Sequence, residues 1–251
     1  MVKAKKSKKG TPSPSKALTA RQFVEQLSKL KTKVNLEQNS RFFRDEGKNN
    51  SKILGVRMAK LFALSKSFTN LDLDGVEELL ENEYYEVRMG AVCIMDFQAR
   101  NKKTSSERRK ELFDLYMRRH DRIDNWDLID RSAGYVVGSY LIDKPRTILY
   151  NLAKSKNIWE RRTAMVSTSY FIRYGDVGDT FKIAEMLVGD KHDLIHKAVG
   201  SWIREAGKKD KKRLIDFLDE YAAVMPRTML RYATERLEKK QRGFFMMRAN
   251  P

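Results

Sequence analysis

The chain of 251 residues contains little cysteine, proline or histidine, and these scarcities exclude several classes of protein. Its single cysteine, Cys93, rules out an intramolecular disulfide framework and a cysteine-based zinc site, and it favours a reducing compartment. His192 and His196 are one helical turn apart, but with three histidines and no third ligand nearby we predict no metal or other cofactor. No run of about 18 apolar residues is present, so we predict neither a membrane span nor a membrane partner.

The sequence also lacks the loops of several common enzyme classes. It contains no Gly-rich phosphate loop, Walker pattern, GxSxG elbow or Cys/His dyad. NTPase chemistry, GxSxG-type hydrolysis and thiol chemistry are therefore disfavoured.

Positive charge, in contrast, is abundant. Lys plus Arg number 51 against 33 Asp plus Glu, a net charge of +18, while hydrophobic residues make up 41% of the chain and suffice for a core. Residues 1–16 hold six lysines and no acid, and we predict a disordered arm there. Residues 17–251, predicted to form a single domain, keep 45 basic against 33 acidic residues. This excess favours a phosphate-neutralising surface over a surface charged only for solubility.

The apolar residues recur at helical spacing, and no alternation typical of strands is present. We predict about thirteen helices of roughly 10 to 18 residues, with Pro145 and Pro226 at helix starts. Similar segments place basic residues at Arg88, Arg162 and Lys197, with separations of 74 and 35 residues. A period of about 36 residues that carries two helices predicts an all-α, HEAT-like helical-repeat solenoid, an α-α superhelix whose inner helices line a concave basic groove.

The stretch DNWDLID, from Asp124 to Asp130, contains the most informative candidate residues. Asn125 is a suitable helix N-cap, and Trp126 and Asp130 are four residues apart, so they share one face of the helix. In a purely structural interpretation Trp126 lies in the core, Asp127 caps the helix and Asp130 is solvated. Asp130 nevertheless borders an apolar stripe, and a carboxylate beside an aromatic ring in a basic groove suits a developing positive charge.

Arginines at equivalent repeat positions are candidates for phosphate contacts. The repeat places Arg88 and Arg162 in register, and it directs Arg162 rather than Arg161 towards the groove. A guanidinium there suits a phosphate, and it equally suits the carboxylate of Asp130, which it would orient. An ordinary surface ion pair is the structural alternative.

The stretch HDLIHKAVGSWIRE supplies further candidates for the groove. Trp202 falls on an apolar stripe, which favours core packing. The neighbouring face can look into the groove, and it carries Lys197, Ser201 and Arg204.

Four segments in this order, NWDLID, NIWERRTAMVSTSYFI, HDLIHKAVGSWIRE and MPRTMLRYATERL, resemble the DNA alkylation repair family of HEAT-like DNA glycosylases, the AlkD-like proteins. The resemblance extends from about Ala17 to Leu237. It implies a base-excision enzyme that hydrolyses the N-glycosidic bond of cationic alkylated purines, such as 3-methyladenine and 7-methylguanine, in duplex DNA. It also implies that no metal is needed and that the lesion stays stacked in the duplex. We expect a monomer in the cytoplasm, associated with the nucleoid.

The resemblance also assigns roles residue by residue. The family's catalytic tryptophan and aspartate match Trp126 and Asp130, and its groove arginine matches Arg162. Its second tryptophan, which packs on the sugar and backbone beside the lesion, falls at Ser201, one residue before Trp202, so the resemblance makes both residues candidates for DNA contact. A groove aromatic residue, a tyrosine in some relatives, falls at Phe42, which lacks the hydroxyl. These two departures motivate a rival hypothesis, a non-catalytic binder of duplex or branched DNA. A helical scaffold for an acidic protein partner is the third hypothesis.

Overall fold

The computed structural model describes residues 18–37 and 52–248, and helices account for its architecture. These two ranges contain thirteen α-helices of 7 to 16 residues, one π-helical segment and a shorter helical stretch over residues 33–37, with no strand. The predicted arm, residues 1–16, and the predicted groove residue Phe42 lie outside the described ranges.

In chain order the helices are α1 (Ala20–Ser28), α2 (Met58–Ser67), α3 (Leu73–Leu80), α4 (Tyr85–Arg100), α5 (Ser106–Arg118), α6 (Trp126–Ala133), α7 (Thr147–Ala153), α8 (Ile158–Arg173), α9 (Gly178–Leu187), α10 (Asp193–Gly207), α11 (Lys211–Tyr221), α12 (Arg227–Ala233) and α13 (Lys239–Arg248). The π-helical segment, Gly134–Gly138, continues α6 directly. None of these helices is both long enough and apolar enough to cross a membrane.

The helices alternate between two series along the chain. Helices α4, α6, α8, α10 and α12 pack side by side in chain order, and we call them the inner series. Helices α3, α5, α7, α9 and α11 each precede one inner helix in sequence and pack against the inner series, while α1 and α2 cover α4. The predicted all-α helical-repeat fold is therefore confirmed. The concave shape of a basic groove stays a prediction.

Several helices begin where the sequence carries a start signal. The Asn157 side chain accepts a hydrogen bond from Trp159 N at 2.9 Å, and that of Asp210 accepts one from Arg213 N at 2.9 Å. Pro145 and Pro226 stand within two residues of the starts of α7 and α12. Asn125 is the N-cap residue of α6, as predicted, although its side chain makes no capping hydrogen bond.

Two glycines let neighbouring inner helices approach backbone to backbone. A Cβ atom at Gly138 would lie 2.2 Å from the carbonyl oxygen of Ser167 in α8, and one at Gly200 would lie 2.4 Å from that of Met229 in α12. Both distances are far below van der Waals contact, so any larger residue would push the helices apart. These close contacts determine how the helices that carry the candidate site lie against one another.

Candidate active site between inner helices

A cleft with a volume of about 360 Å³ lies between α6, α8, α10 and α12. Because these are consecutive members of the inner series, the cleft brings together residues that are far apart in the sequence. Six of the predicted site residues contribute to its lining, which consists of Trp126, Asp130, Arg162, Leu194, Lys197, Ala198, Ser201, Trp202 and Tyr232. Six residues that the sequence patterns singled out therefore lie around one cleft.

The Asp130 carboxylate is held by the guanidinium of Arg162. Arg162 Nε donates to Asp130 Oδ1 at 3.0 Å and Arg162 Nη2 donates to Asp130 Oδ2 at 2.8 Å. Arg162 Nη1 donates to the carbonyl oxygen of Leu194 at 2.6 Å, which fixes the guanidinium from a third direction. Since a bidentate guanidinium matches the plane of a carboxylate, this arrangement fixes the orientation of the acid as well as its position.

The two partners differ strongly in exposure. The Arg162 side chain is 7% exposed, whereas that of Asp130 is 36% exposed at the cleft. Each carboxylate oxygen receives one bond from Arg162 and keeps further acceptor capacity. The Arg162 guanidinium carbon lies 5.9 Å from the centre of the Trp126 ring, and that ring is half-buried beside the acid. The cleft therefore presents an oriented negative charge next to an aromatic surface.

A second carboxylate in the same helix lies on its buried side. The Tyr85 hydroxyl in α4 donates a hydrogen bond to Asp127 Oδ2. Burial raises the pKa of Asp127 from its ordinary value of 3.8 to about 6, against the opposing effect of the Tyr85 bond. Burial, together with the nearby Asp127 charge, also raises the pKa of Tyr85. Asp127 thus ties α6 to α4 behind the cleft, a contact that differs from the capping role considered for it.

Asp127 and His120 should give opposite pH dependences of stability. The folded chain binds the extra proton at Asp127 between pH 4 and 6, so this group makes stability fall as pH rises. His120 donates to or accepts from Thr163 Oγ1 at 2.9 Å, and burial lowers its pKa from 6.5 to about 4. There the unfolded chain binds the extra proton, so stability rises with pH. In the unaltered protein the two contributions offset each other.

The substitution Asp127→Asn keeps an acceptor for Tyr85 and removes the buried charge. We expect it to stabilise the protein by about 2 to 3 kcal/mol at pH 7, with the gain disappearing as pH falls from 6 to 4. Urea unfolding at pH 4, 5, 6 and 7 measures this difference against the unaltered chain. His120→Gln serves as the opposite control, because it should gain stability relative to the unaltered chain as pH falls. If the free energy of unfolding varied with pH in the same way for all three proteins, the shifted pKa values of Asp127 and His120 would be contradicted.

The predicted DNA contact of Arg88 does not fit its placement. Its side chain is 3% exposed and pairs with Asp124 at 3.0 Å, and it also donates to the carbonyl oxygen of Asn82. Arg161 makes the corresponding contacts in α8, where it donates to Ser155 O and pairs with Asp190. The structural counterpart of Arg88 is therefore Arg161 rather than Arg162. A shift of one residue turns a helical side chain by about 100°, which explains why Arg88 pairs with Asp124 whereas Arg162 lines the cleft.

The remaining predicted residues divide between the cleft and its surroundings. Lys197 and Ser201 line the cleft, and Lys197 also pairs with Asp193 at 2.8 Å. Trp202, for which the apolar stripe favoured the core, is half-buried and lines the cleft beside Ser201. Arg204 does not line the cleft and pairs with Glu205 and Glu235, so a phosphate contact does not fit its placement.

Sequence reasoning missed three residues that line the cleft, Leu194, Ala198 and Tyr232. Tyr232 lines it from α12, and the Leu194 carbonyl fixes Arg162. The repeat was defined from basic residues alone, and the basic residue of this segment is Arg231, one residue before Tyr232. Arg231 is exposed and lies over the Tyr232 ring at 5.3 Å. A search for aromatic residues at the same repeat position would have found Tyr232, whereas a backbone carbonyl leaves no signal in the sequence.

Comparisons with known proteins agree with this architecture. A sequence model of the family described as DNA alkylation repair enzyme matches residues 23–237. Among solved structures, a predicted DNA alkylation repair enzyme from Enterococcus faecalis is similar, with a TM-score of 0.64 and 16% identity, over 83% of this chain and 97% of that chain. The sequence has no match among curated proteins. At this identity the structural similarity concerns the fold alone.

Proposed function

Since the chain belongs to the family of DNA alkylation repair enzymes, we propose that it is a DNA glycosylase for cationic alkylated purines in duplex DNA. The substrates are purines of the 3-methyladenine and 7-methylguanine type, and the bond broken is the N-glycosidic bond. The observation that carries the proposal is the exposed Asp130 carboxylate, oriented by buried Arg162 beside the Trp126 ring.

The chemistry of the substrate matches a site with one oriented carboxylate. A purine alkylated at N3 or N7 already carries a positive charge, so it leaves as a neutral base and needs no general acid. Cleavage leaves positive charge on the sugar at C1′, as in other glycoside cleavages. Asp130 stabilises this oxocarbenium-like sugar electrostatically, and its remaining acceptor capacity positions the attacking water.

The neighbouring groups act through Asp130 and the sugar. Trp126 lies against the deoxyribose and supplies the attraction of its π face for the developing cation. Arg162 keeps the carboxylate in one orientation, so that no reorganisation is needed as charge develops. Because Asp130 is 36% exposed at the mouth of an open cleft, it can reach a sugar from outside the duplex, which supports excision with the base still stacked.

The decisive experiment uses the unaltered protein and duplex DNA that contains 7-methylguanine. We expect release of free 7-methylguanine and formation of an abasic site in single-turnover conditions, with the same rate in the presence of EDTA. An unmethylated duplex of the same sequence is the control, and it should release no base. Failure to release the alkylated base from a duplex that the protein binds would rule out the proposed activity.

The alternative function is a non-catalytic binder of duplex or branched DNA. Its support is Ser201, which stands where the family has a second tryptophan, although Trp202 also lines the cleft. The same assay separates the two functions, because this alternative requires salt-dependent binding without base release. Absence of duplex binding at low salt would instead favour a scaffold for an acidic protein.

A further inference from the structure

A second group of basic and aromatic side chains lies at the carboxyl ends of α4 and α8, outside the cleft. We call it the arginine–tyrosine patch, and it consists of Arg100, Tyr135, Tyr170, Arg173 and Tyr174. Arg100, Arg173 and Tyr174 are exposed, with Tyr174 68% exposed, and the other two tyrosines are half-buried. The proposed mechanism uses none of these residues.

The patch is organised around one aromatic ring. The Arg100 guanidinium carbon lies 3.6 Å from the centre of the Tyr135 ring, and that of Arg173 lies 4.7 Å from it. Arg173 also donates a hydrogen bond to the Tyr135 hydroxyl. Tyr170 packs edge-on against Tyr135 with 5.3 Å between ring centres, and Tyr174 lies 5.4 Å beyond it. Two positive charges are thus held close together by cation–π contacts.

The carboxylates around the patch do not neutralise it. Asp96 is buried and pairs with Arg100 at 2.7 Å, but it also pairs with Arg131 at 2.9 Å. Two guanidinium groups therefore share one carboxylate. Asp176, the nearest acid along the chain from Arg173, pairs with Arg146 instead. Among the residues that the structure describes, Arg173 forms no ion pair, and one of its five N–H donors is used.

The patch lies on the same face of the inner series as the cleft. Arg173 follows Arg162 by eleven residues in α8, which is three helical turns to within about 20°, or about 16 Å along the axis. A duplex with one sugar at Asp130 must present phosphates over such a distance, because B-DNA carries one phosphate per roughly 1.7 Å of axis. A surplus of guanidinium groups on that face is placed to meet them.

We propose that the arginine–tyrosine patch binds the phosphate backbone of the duplex beyond the cleft, with Arg173 as its principal phosphate ligand. This inference rests on the proposed function for the placement of the duplex, and it adds phosphate contacts that neither repeat periodicity nor the cleft identifies. The tyrosines hold the guanidinium groups in place through their ring faces, which leaves N–H donors of Arg173 for phosphate oxygens.

The test measures binding of an undamaged duplex by Arg173→Gln at several salt concentrations. We expect affinity to fall about fivefold to tenfold at 0.1 M salt, and the slope of log K against log salt to become shallower by about one. Arg118→Gln is the matched control, since Arg118 is exposed on α5 and its loss changes the net charge equally. It should leave both affinity and slope unchanged.

The outcomes separate this inference from the proposed function. Binding of undamaged duplex requires no excision, so a protein that releases no base but loses affinity on Arg173→Gln still supports the patch. Affinity and slope equal to those of the unaltered chain, also for Arg173→Glu, would overturn it even if excision proceeds. It is likewise overturned if Arg173→Gln weakens binding of a poly-glutamate peptide and leaves duplex binding intact. Thermal unfolding of each variant verifies that it is folded.

Discussion

Replacing Asp130 with asparagine should lower the single-turnover rate of 7-methylguanine release at least a hundredfold. The substitution preserves the shape of the side chain and one acceptor, but it removes the negative charge that faces the developing cation. It also replaces one oxygen that accepts from Arg162 with an amide donor, so the guanidinium loses its bidentate partner. The measurement is the rate of base release at saturating enzyme. Because all of the duplex is then bound, a change in duplex affinity does not affect this rate.

Asp190 offers a matched control for this experiment. It pairs with Arg161 at 2.6 Å in the same part of the fold, yet neither residue lines the cleft. Asp190→Asn should therefore lower stability and leave the rate of base release within a few-fold of the unaltered value. Equal rates for Asp130→Asn and the unaltered chain would refute the catalytic role of this carboxylate. Equal losses in both variants would mean that the effect arises from stability.

The sequence predicted those features of the site that depend on position within one helix. Trp126 and Asp130 share a face of α6 because they are four residues apart, and the start of that helix follows from Asn125. Arg162, which the repeat favoured over Arg161, lines the cleft, although the register with Arg88 that supported this choice was one residue out. The inferences about Trp126 and Asp130 need only the helical period of 3.6 residues.

Features set by a neighbouring helix could not be predicted in the same way. Periodicity identifies the residues at the centre of the apolar stripe of α10, which are buried. Whether a residue at the edge of the stripe is buried depends on where α12 packs against α10 at Gly200. Trp202 lies at that edge and is half-buried. The bond between Tyr85 and Asp127 joins residues 42 positions apart. Arg88 was placed in register with Arg162 because the matched segments look similar even when they are shifted by one residue. In a helix, the same shift moves the side chain to a different face.

The sequence left two roles open for Arg162, phosphate binding and orientation of Asp130, and a substitution of this residue distinguishes them. The substitution Arg162→Lys keeps the positive charge but replaces the planar fork with a single ammonium group. Three different nitrogens of the guanidinium donate to the two Asp130 oxygens and to the Leu194 carbonyl. The single nitrogen of a lysine cannot occupy these three positions at once. We expect base release at saturating enzyme to slow between tenfold and a hundredfold, because small misplacements of a catalytic group cost that much.

Duplex affinity distinguishes the two roles, since the Arg162 side chain is 7% exposed and its bonds are made within the protein. For an orienting residue the affinity and its salt slope should stay the same while the rate falls. A phosphate ligand would show the reverse, with weaker binding and an unchanged rate at saturation. Arg161→Lys is the control, because it disturbs a comparable pair with Asp190 outside the cleft and should change neither quantity. A rate loss confined to Arg162→Lys, at constant affinity, would identify it as the residue that positions the carboxylate.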